Sequence, residues 1–324
     1  MKNIAVVCGG NSGEYDVSIQ SGKVVVASLP ADRYAAYLII IRGTEWYHTD
    51  AKGNKYLINK DDFSLELGGK TLRFDAVFNA IHGSPGEDGK LLGYFDLIGM
   101  PYTSSNMFVS ALTFNKENCK RIVASHGVLV AKGLMFNRES TIDVVAVIEQ
   151  LGLPVFVKPN NGGSSVGVTK VKENGQFMDA IDKALAEDEE VLVESFLEGR
   201  EFGCGVMQTK TGLLVFPVTE IISKKEFFDY EAKYTQGMAD EITPADITEE
   251  ADNKIKSTAA LLYKRLTCKG FVRFDFIISK GRLFFLEVNT VPGISPASIL
   301  PKQANAMGIS LEKLFTMALE NVIE

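Results

Sequence analysis

The sequence predicts an α+β protein of several domains, the first of them a parallel α/β unit. Three observations carry this prediction. The chain has 324 residues, too many for one ordinary core and enough for two or three domains of ~100–200 residues each. It opens with strand, glycine loop, helix and strand, the order of a parallel α/β unit. Near its other end, two apolar runs flank a glycine-containing turn, the mark of an antiparallel hairpin.

Composition narrows the class. A hydrophobic content of 46% with 23% charged residues is that of a soluble globular protein. A net charge of −7 argues against nucleic acid or an anionic membrane as the main partner. Cys8, Cys119, Cys204 and Cys268 form no CxxC pair. They read as free thiols of a reducing compartment rather than a disulfide or zinc framework. The apolar run from Ile4 to Cys8 is too short for a signal peptide, and no stretch approaches the ~20 apolar residues of a membrane span. The expectation is a cytoplasmic protein.

In the first unit, Ile4 to Cys8 is a buried strand, Gly9 to Gly13 a tight loop, and Glu14 the start of a helix to about Ser28. Tyr37 to Ile41 is the next strand. Gly9, Gly10 and Gly13 do not make a GxGxxG dinucleotide loop, and the second strand ends in Arg42-Gly43 rather than an acid. Glu14 is either a favourable first-turn charge or a carboxylate offered to a ligand's ammonium from the rim of the sheet. Asp50 to Gly69 reads as an irregular surface excursion. Phe74 to Ile81 is a strand that runs into the glycine-rich loop of residues 82–89, where His82 stands at the strand's C-terminal end. A helix follows from Lys90, and Ser104 to Asn106 is a domain boundary.

The middle of the chain reads as one helix from Asn106 to Ser125, with Lys116 in its middle, a strand at Val128 to Ala131 and a helix from Ile142 to Leu151. Val155 to Pro159 is an apolar strand that places Lys158 just before the Gly/Ser loop of residues 160–168. Such loops present backbone N–H groups to phosphate oxygens, and a lysine adds a point charge. This is not a Walker A loop, which ends in Gly-Lys-Ser/Thr. Glu194 ends a later strand and Glu201 follows a glycine turn; this arrangement suits an adenine amino group and ribose hydroxyls, or simply structural ion pairs. Residues 227–237 mix aromatic and charged groups, as a lid over a ligand does. Thr248 to Leu266 is an amphipathic helix with Ile255, Ala259, Leu262 and Leu266 on one stripe.

The hairpin spans residues 270–278 and 283–290. Arg273 and Asp275 share one face of its first strand, and Glu287 and Asn289 share one face of the second. Buried and unpaired, such groups would cost roughly several kcal/mol each. As a set, they form a hard-oxygen cluster suited to Mg²⁺; taken singly, each reads as part of a structural ion network. The metal reading requires Asp275 to lie opposite Glu287. That needs a loop with an odd number of residues or a bulge, because a two-residue turn at Lys280-Gly281 would put the acids on opposite faces. After Asn289, a Pro/Gly/Ser loop offers N–H groups and hydroxyls to a carboxylate or oxyanion. Ser310 to Val322 is the terminal helix.

The ordered set GGNSGEYDVSIQSG, HGSPGEDG, FVKPNNGGSSVGV, FFDYEAKY, GFVRFDF and LEVNTVPGISPASILP resembles the ATP-grasp superfamily and, within it, the D-alanine–D-alanine ligases, over essentially the whole chain. The resemblance implies a three-domain ATP-grasp fold: an N-terminal α/β substrate-binding domain at 1–104 and ATP-grasp domains at 105–198 and 199–324 that sandwich ATP. Lys116, Lys158, Lys233 and Arg273 then resemble the phosphate contacts, and Glu194, Leu197 and Glu201 the adenine and ribose contacts. Asp275, Glu287 and Asn289 resemble the ligands of two Mg²⁺ or Mn²⁺ ions. Glu14, with His82 nearby, would bind the ammonium of a first D-alanine, and Ser298 the carboxylate of a second. Arg273 and the Gly293 N–H would steady an oxyanion, and Ser164 and Tyr234 would tie lid loops to Glu14. Tyr15 departs from the family, which often has a basic residue there. Tyr234 favours an amide product over a D-lactate ester.

The implied activity is ATP-dependent ligation of two D-alanines through an acyl phosphate, for peptidoglycan precursors and hence cell-wall biogenesis and cell shape. The implied assembly is a homodimer. A D-alanyl-D-lactate or D-alanyl-D-serine ligase is the alternative.

Overall fold

The computed structural model describes residues 1–223 and 239–323. The first unit runs β1 (Lys2–Gly9), α1 (Tyr15–Ser28), β2 (Tyr34–Arg42), β3 (Glu45–Thr49), β4 (Lys55–Asn59), β5 (Ser64–Leu67), β6 (Lys70–Leu72), β7 (Ala76–Asn79) and α2 (Lys90–Leu97). Its strands form one sheet in the order β6-β5-β4-β3-β2-β1-β7. β1 lies parallel to both β2 and β7. Ile4 and Val6 enter one core, and Ala5 and Val7 the core on the opposite face. Covered on both sides, β1 reads as a continuous apolar run.

The expected irregular excursion after Asp50 is instead a run of antiparallel hairpins that extends the sheet. These strands are short and present one face to water, so their polar residues imitate a loop. Phe63 anchors them, fully buried and in edge contact with Trp46 and Phe95.

The second stretch holds α3 (Met107–Phe114), α4 (Lys116–Ser125), β8 (Leu129–Val130), β9 (Gly133–Asn137), α5 (Val144–Leu151), β10 (Val155–Pro159), β11 (Thr169–Val171), α6 (Phe177–Leu185) and β12 (Glu190–Ser195). β11, β10, β12 and β9 form an antiparallel sheet. Val155, Val157, Val191 and Val193 pack on Phe177 and Ile181 of α6. Alternation therefore turns Phe156, Lys158 and Glu194 to the opposite face, where Phe156 and Glu194 are cross-strand partners.

The single helix expected from Asn106 is broken at Asn115, whose backbone is extended at φ −83° and ψ 103°. Its side chain accepts from the Asn118 N–H and caps α4. Both helices pack on the C-terminal core rather than the central sheet: Val109, Cys119 and Val123 share a cluster with Phe274 and Phe285. β8 likewise pairs with the last strand of that core.

The third stretch holds β13 (Arg200–Thr209), β14 (Gly212–Val215), β15 (Thr219–Ser223), β16 (Ala239–Ile242), α7 (Glu249–Arg265), β17 (Phe271–Ser279), β18 (Arg282–Asn289), α8 (Ile299–Ala306) and α9 (Leu311–Glu320). Its sheet runs β16-β15-β13-β17-β18-β8, with β14 on β13. The stripe Ile255, Ala259, Leu262 and Leu266 is buried as its spacing requires. α8 follows directly on the Pro/Gly/Ser loop, with Pro301 in its first turn, where a missing N–H is tolerated.

The hairpin turn is two residues long. Lys280 and Gly281 have φ of 49° and 71°, the primed-turn geometry that matches strand twist. Ser279 pairs with Arg282 and Phe276 with Phe285. Carried onward, that register would separate the acids. A bulge between Asp275 and Phe276 corrects it: Leu286 is the extra residue, and Asp275 pairs with Glu287 and Arg273 with Asn289.

Candidate active site

A cavity of about 460 Å³ lies between the central and C-terminal sheets. The central sheet and its loop supply Phe156, Lys158, Ser164 and Glu194, and the start of α4 supplies Lys116. The other side supplies Glu201, Asp275, Ile277, Leu286 and Glu287, and Leu197 lies on the connection. Lys116, at the start of α4, donates from Nζ to the Gly162 carbonyl at 2.6 Å. Lys158 forms an ion pair with Glu194. Ser164 and Ser165 have φ of 51° and 57°, left-handed positions that side chains other than glycine and asparagine seldom take.

On the floor, Asp275 is 3% exposed. Arg273 grips it with two parallel hydrogen bonds of 2.8 Å, Nε to Oδ1 and Nη2 to Oδ2. Burial works against the guanidinium charge, but Asp275 and Glu287 outweigh it and keep Arg273 protonated. The Asn289 side-chain oxygen accepts from the Val291 N–H at 3.1 Å. Among the described residues no three His, Cys, Asp or Glu side chains converge on a metal position. Two carboxylates and an amide share this face, a donor set that fits Mg²⁺ completed by substrate phosphates.

Beyond Arg273, the N-terminal unit meets the two loops. Glu14 precedes α1 without capping it, and Ser164 donates a hydrogen bond to its carboxylate. A Cβ on Gly163 would come within 2.8 Å of Glu14 Oε2, so a side chain there would displace the Glu14 carboxylate. His82 is 4% exposed. Its Nδ1 lies 2.8 Å from the Val291 carbonyl and its Nε2 2.8 Å from Ser21 Oγ. A carbonyl only accepts, so Nδ1 carries the proton and Nε2 accepts from Ser21 when the ring is neutral. Burial lowers the His82 pKa, opposed by Glu14. Ser298 precedes α8, and its Oγ lies 2.9 Å from Ser295 Oγ. A Cβ on Gly293 would lie 2.8 Å from Ser298 Oγ, so these two residues are immediate neighbours. Lys233 and Tyr234 fall outside the described residues.

Family models match along most of the chain. The model described as D-ala D-ala ligase N-terminus covers residues 3–105, and that described as D-ala D-ala ligase C-terminus covers residues 122–320. The chain belongs to the D-alanine–D-alanine ligase family. A D-alanine--D-alanine ligase of Flavobacterium johnsoniae is 45% identical over 99% of both chains. Among solved structures of this family and its relatives, the VanG D-Ala:D-Ser ligase of Enterococcus faecalis superposes with a TM-score of 0.87 at 34% identity, over 98% of each chain. The D-alanine--D-alanine ligase of Bacillus anthracis complexed with ATP superposes with a TM-score of 0.80 at 27% identity, over 99% of this chain and 97% of that one. The three-sheet architecture is the ATP-grasp fold of the ligase family.

Two buried ionisable groups of this ligase-family site escape sequence reasoning. Glu87 is 8% exposed; its Oε2 accepts from the Gly83 N–H at 2.6 Å and its Oε1 from the Val291 N–H at 3.2 Å. Burial and then Glu14 push its pKa up to about 8. Its only signal is its place in the glycine-rich loop. Lys120, one turn after Lys116, is buried against Glu194; among the described residues no helix is long and apolar enough to cross a membrane.

Proposed function

We propose that this chain joins two D-alanines at the expense of ATP. One observation carries the reading: the loop of residues 160–168 lines the cavity and, through Ser164, also holds Glu14 on the N-terminal unit. A cavity suited to phosphates and a carboxylate suited to an ammonium group thus share one loop. ATP enters the cavity with its base near Glu194 and Leu197, its ribose near Glu201 and its phosphates near Lys116, Lys158, Lys233 and Arg273. Glu14 binds the ammonium of the first D-alanine, with His82 setting the shape of that subsite. Ser298 takes the carboxylate of the second.

A carboxylate is a poor electrophile. The first D-alanine's carboxylate oxygen attacks the γ-phosphorus, ADP leaves, and an acyl phosphate results. The second D-alanine's amine attacks the acyl carbon, and the tetrahedral intermediate expels inorganic phosphate. Arg273 and the Gly293 N–H face the developing oxyanion. No protein nucleophile is required, because the work is positioning and charge neutralisation. Asp275, Glu287 and Asn289 would hold two Mg²⁺ or Mn²⁺ ions. Bound there, such ions neutralise charge on the transferring phosphate. As the resemblance implies, Ser164 and Tyr234 would tie lid loops to Glu14, and a covered site excludes water from the acyl phosphate.

The test is phosphate release from ATP with Mg²⁺ and D-alanine, which L-alanine should not support. No D-alanine-dependent turnover would overturn the reading. The 34% identity to a D-Ala:D-Ser ligase makes D-serine the competitor to include, beside D-lactate; a mixed-substrate assay should return D-alanyl-D-alanine as the main product. Use of ATP supports action in the cytoplasm, and the homodimer is checked by light scattering.

A further inference from the structure

Lys120 is 4% exposed. A buried ammonium is costly unless it is paired and hydrogen-bonded. Lys120 has both kinds of partner: its Nζ donates to the Ala131 carbonyl at 3.0 Å and to Glu194 Oε1. The other Glu194 oxygen pairs with Lys158. Ala131, Lys158 and Glu194 line the cavity, and Lys120 supports that wall from behind.

We infer that Lys120 is a positioning residue for base selection, holding Glu194 as a fixed, ionised acceptor that admits a 6-aminopurine and opposes a 6-oxopurine. The inference rests on the reading of this cavity as the ATP site. An ionised carboxylate only accepts hydrogen bonds. The adenine amino group donates to it; a 6-oxo group would set acceptor against acceptor. Such a mismatch in a buried site costs far more than a lost methylene contact does. The discrimination depends on Glu194 staying charged and staying in place. With Lys120 gone, one carboxylate oxygen loses its cation and the side chain gains freedom to turn. A rotated Glu194 no longer sets its lone pairs against the 6-oxo group. Lys158 cannot take over both tasks, since it pairs with the other oxygen and faces the cavity.

The experiment compares ATP with inosine triphosphate, which carries a 6-oxo group in place of the amine, at saturating D-alanine and Mg²⁺. In Lys120→Met, the ratio of kcat/KM for ATP to that for inosine triphosphate should fall about tenfold or more. The loss should sit in the KM for nucleotide, with kcat and the KM for D-alanine changed less than about threefold. Lys120→Arg restores the charge and should recover most of the preference. If Lys120→Met does not fold, Lys120→Gln keeps a donor for the Ala131 carbonyl and carries the same expectation. An unchanged ratio in a folded, neutral variant overturns the inference while leaving the ATP reading intact. A wild-type protein without D-alanine-dependent ATP turnover defeats both.

Discussion

Asp275 faces Glu287 across a bulge, not across a symmetrical hairpin. The two-residue turn sets one register and Leu286 resets it before the acids are reached. Leu286 and Glu287 consequently both line the cavity, one apolar and one charged. Glu287→Gln keeps the shape and removes one charge. Turnover should fall about a hundredfold or more, with a higher Mg²⁺ concentration at half-maximal activity. An unchanged rate would show that the metal does not sit here.

Ser164 and Glu14 join two units by one hydrogen bond to a charged group. Such bonds contribute about 1.5–3 kcal/mol. Ser164→Ala should therefore raise the KM for the first D-alanine, or lower kcat, by at least about tenfold. Steady-state kinetics at varied D-alanine checks this, and a change confined to ATP would contradict it.

A side chain at Gly293 would push the Ser298 hydroxyl from its place. Gly293→Ala brings a Cβ to 2.8 Å of Ser298 Oγ and should raise the KM for the second D-alanine more than that for the first. Equal effects on both would place Ser298 elsewhere in the reaction.

Asn115 separates α3 from α4 and starts the helix on which Lys116 stands. Asn115→Ala removes the cap, at a cost of about 1 kcal/mol. Thermal unfolding should shift down by a few degrees and the KM for ATP should rise; a stability loss with unchanged KM would detach Lys116 from the nucleotide.

Glu87 gives the pH dependence a sign. Its folded pKa is about 8, against 4.5 ordinarily, so between those values the folded state binds more protons than the unfolded one. Its contribution to stability is complete below about pH 4.5 and is lost as pH rises through 8. His82 acts oppositely: its lowered pKa makes stability fall as pH drops below about 6.5. The melting temperature of wild type should decline from about pH 6.5 to 8, and more shallowly in Glu87→Ala. Parallel curves would remove Glu87 from the account.

Charges in otherwise apolar strands stand out in a sequence because burying them is expensive, and this is why Asp275 and Glu287 were visible. The bulge was not. At Leu286 one face of the strand meets the core and the other an apolar part of the cavity, so no break in alternation marks the extra residue. Lys120 is a helix lysine, a type normally solvated; its burial is imposed by Glu194, which lies 74 positions away. Glu87 sits beside Asp88 in a glycine-rich loop and imitates solvated polarity. Asn115 is a residue type that caps helices, but no Gly or Pro stands between Asn106 and Ser125 to mark a break.

The tie between His82 and Val291 spans 209 positions. During synthesis at roughly 5–20 residues per second, the histidine leaves the ribosome on the order of 10 to 40 seconds before its carbonyl partner exists. Glu87 waits as long for the Val291 N–H. The N-terminal unit can collapse early around its own sheet, but the contacts of His82 and Glu87 with Val291 form only when the last strands are made. On the proposed reading, the subsite for the first D-alanine is therefore completed only after the strands that carry Asp275 and Glu287 have been made.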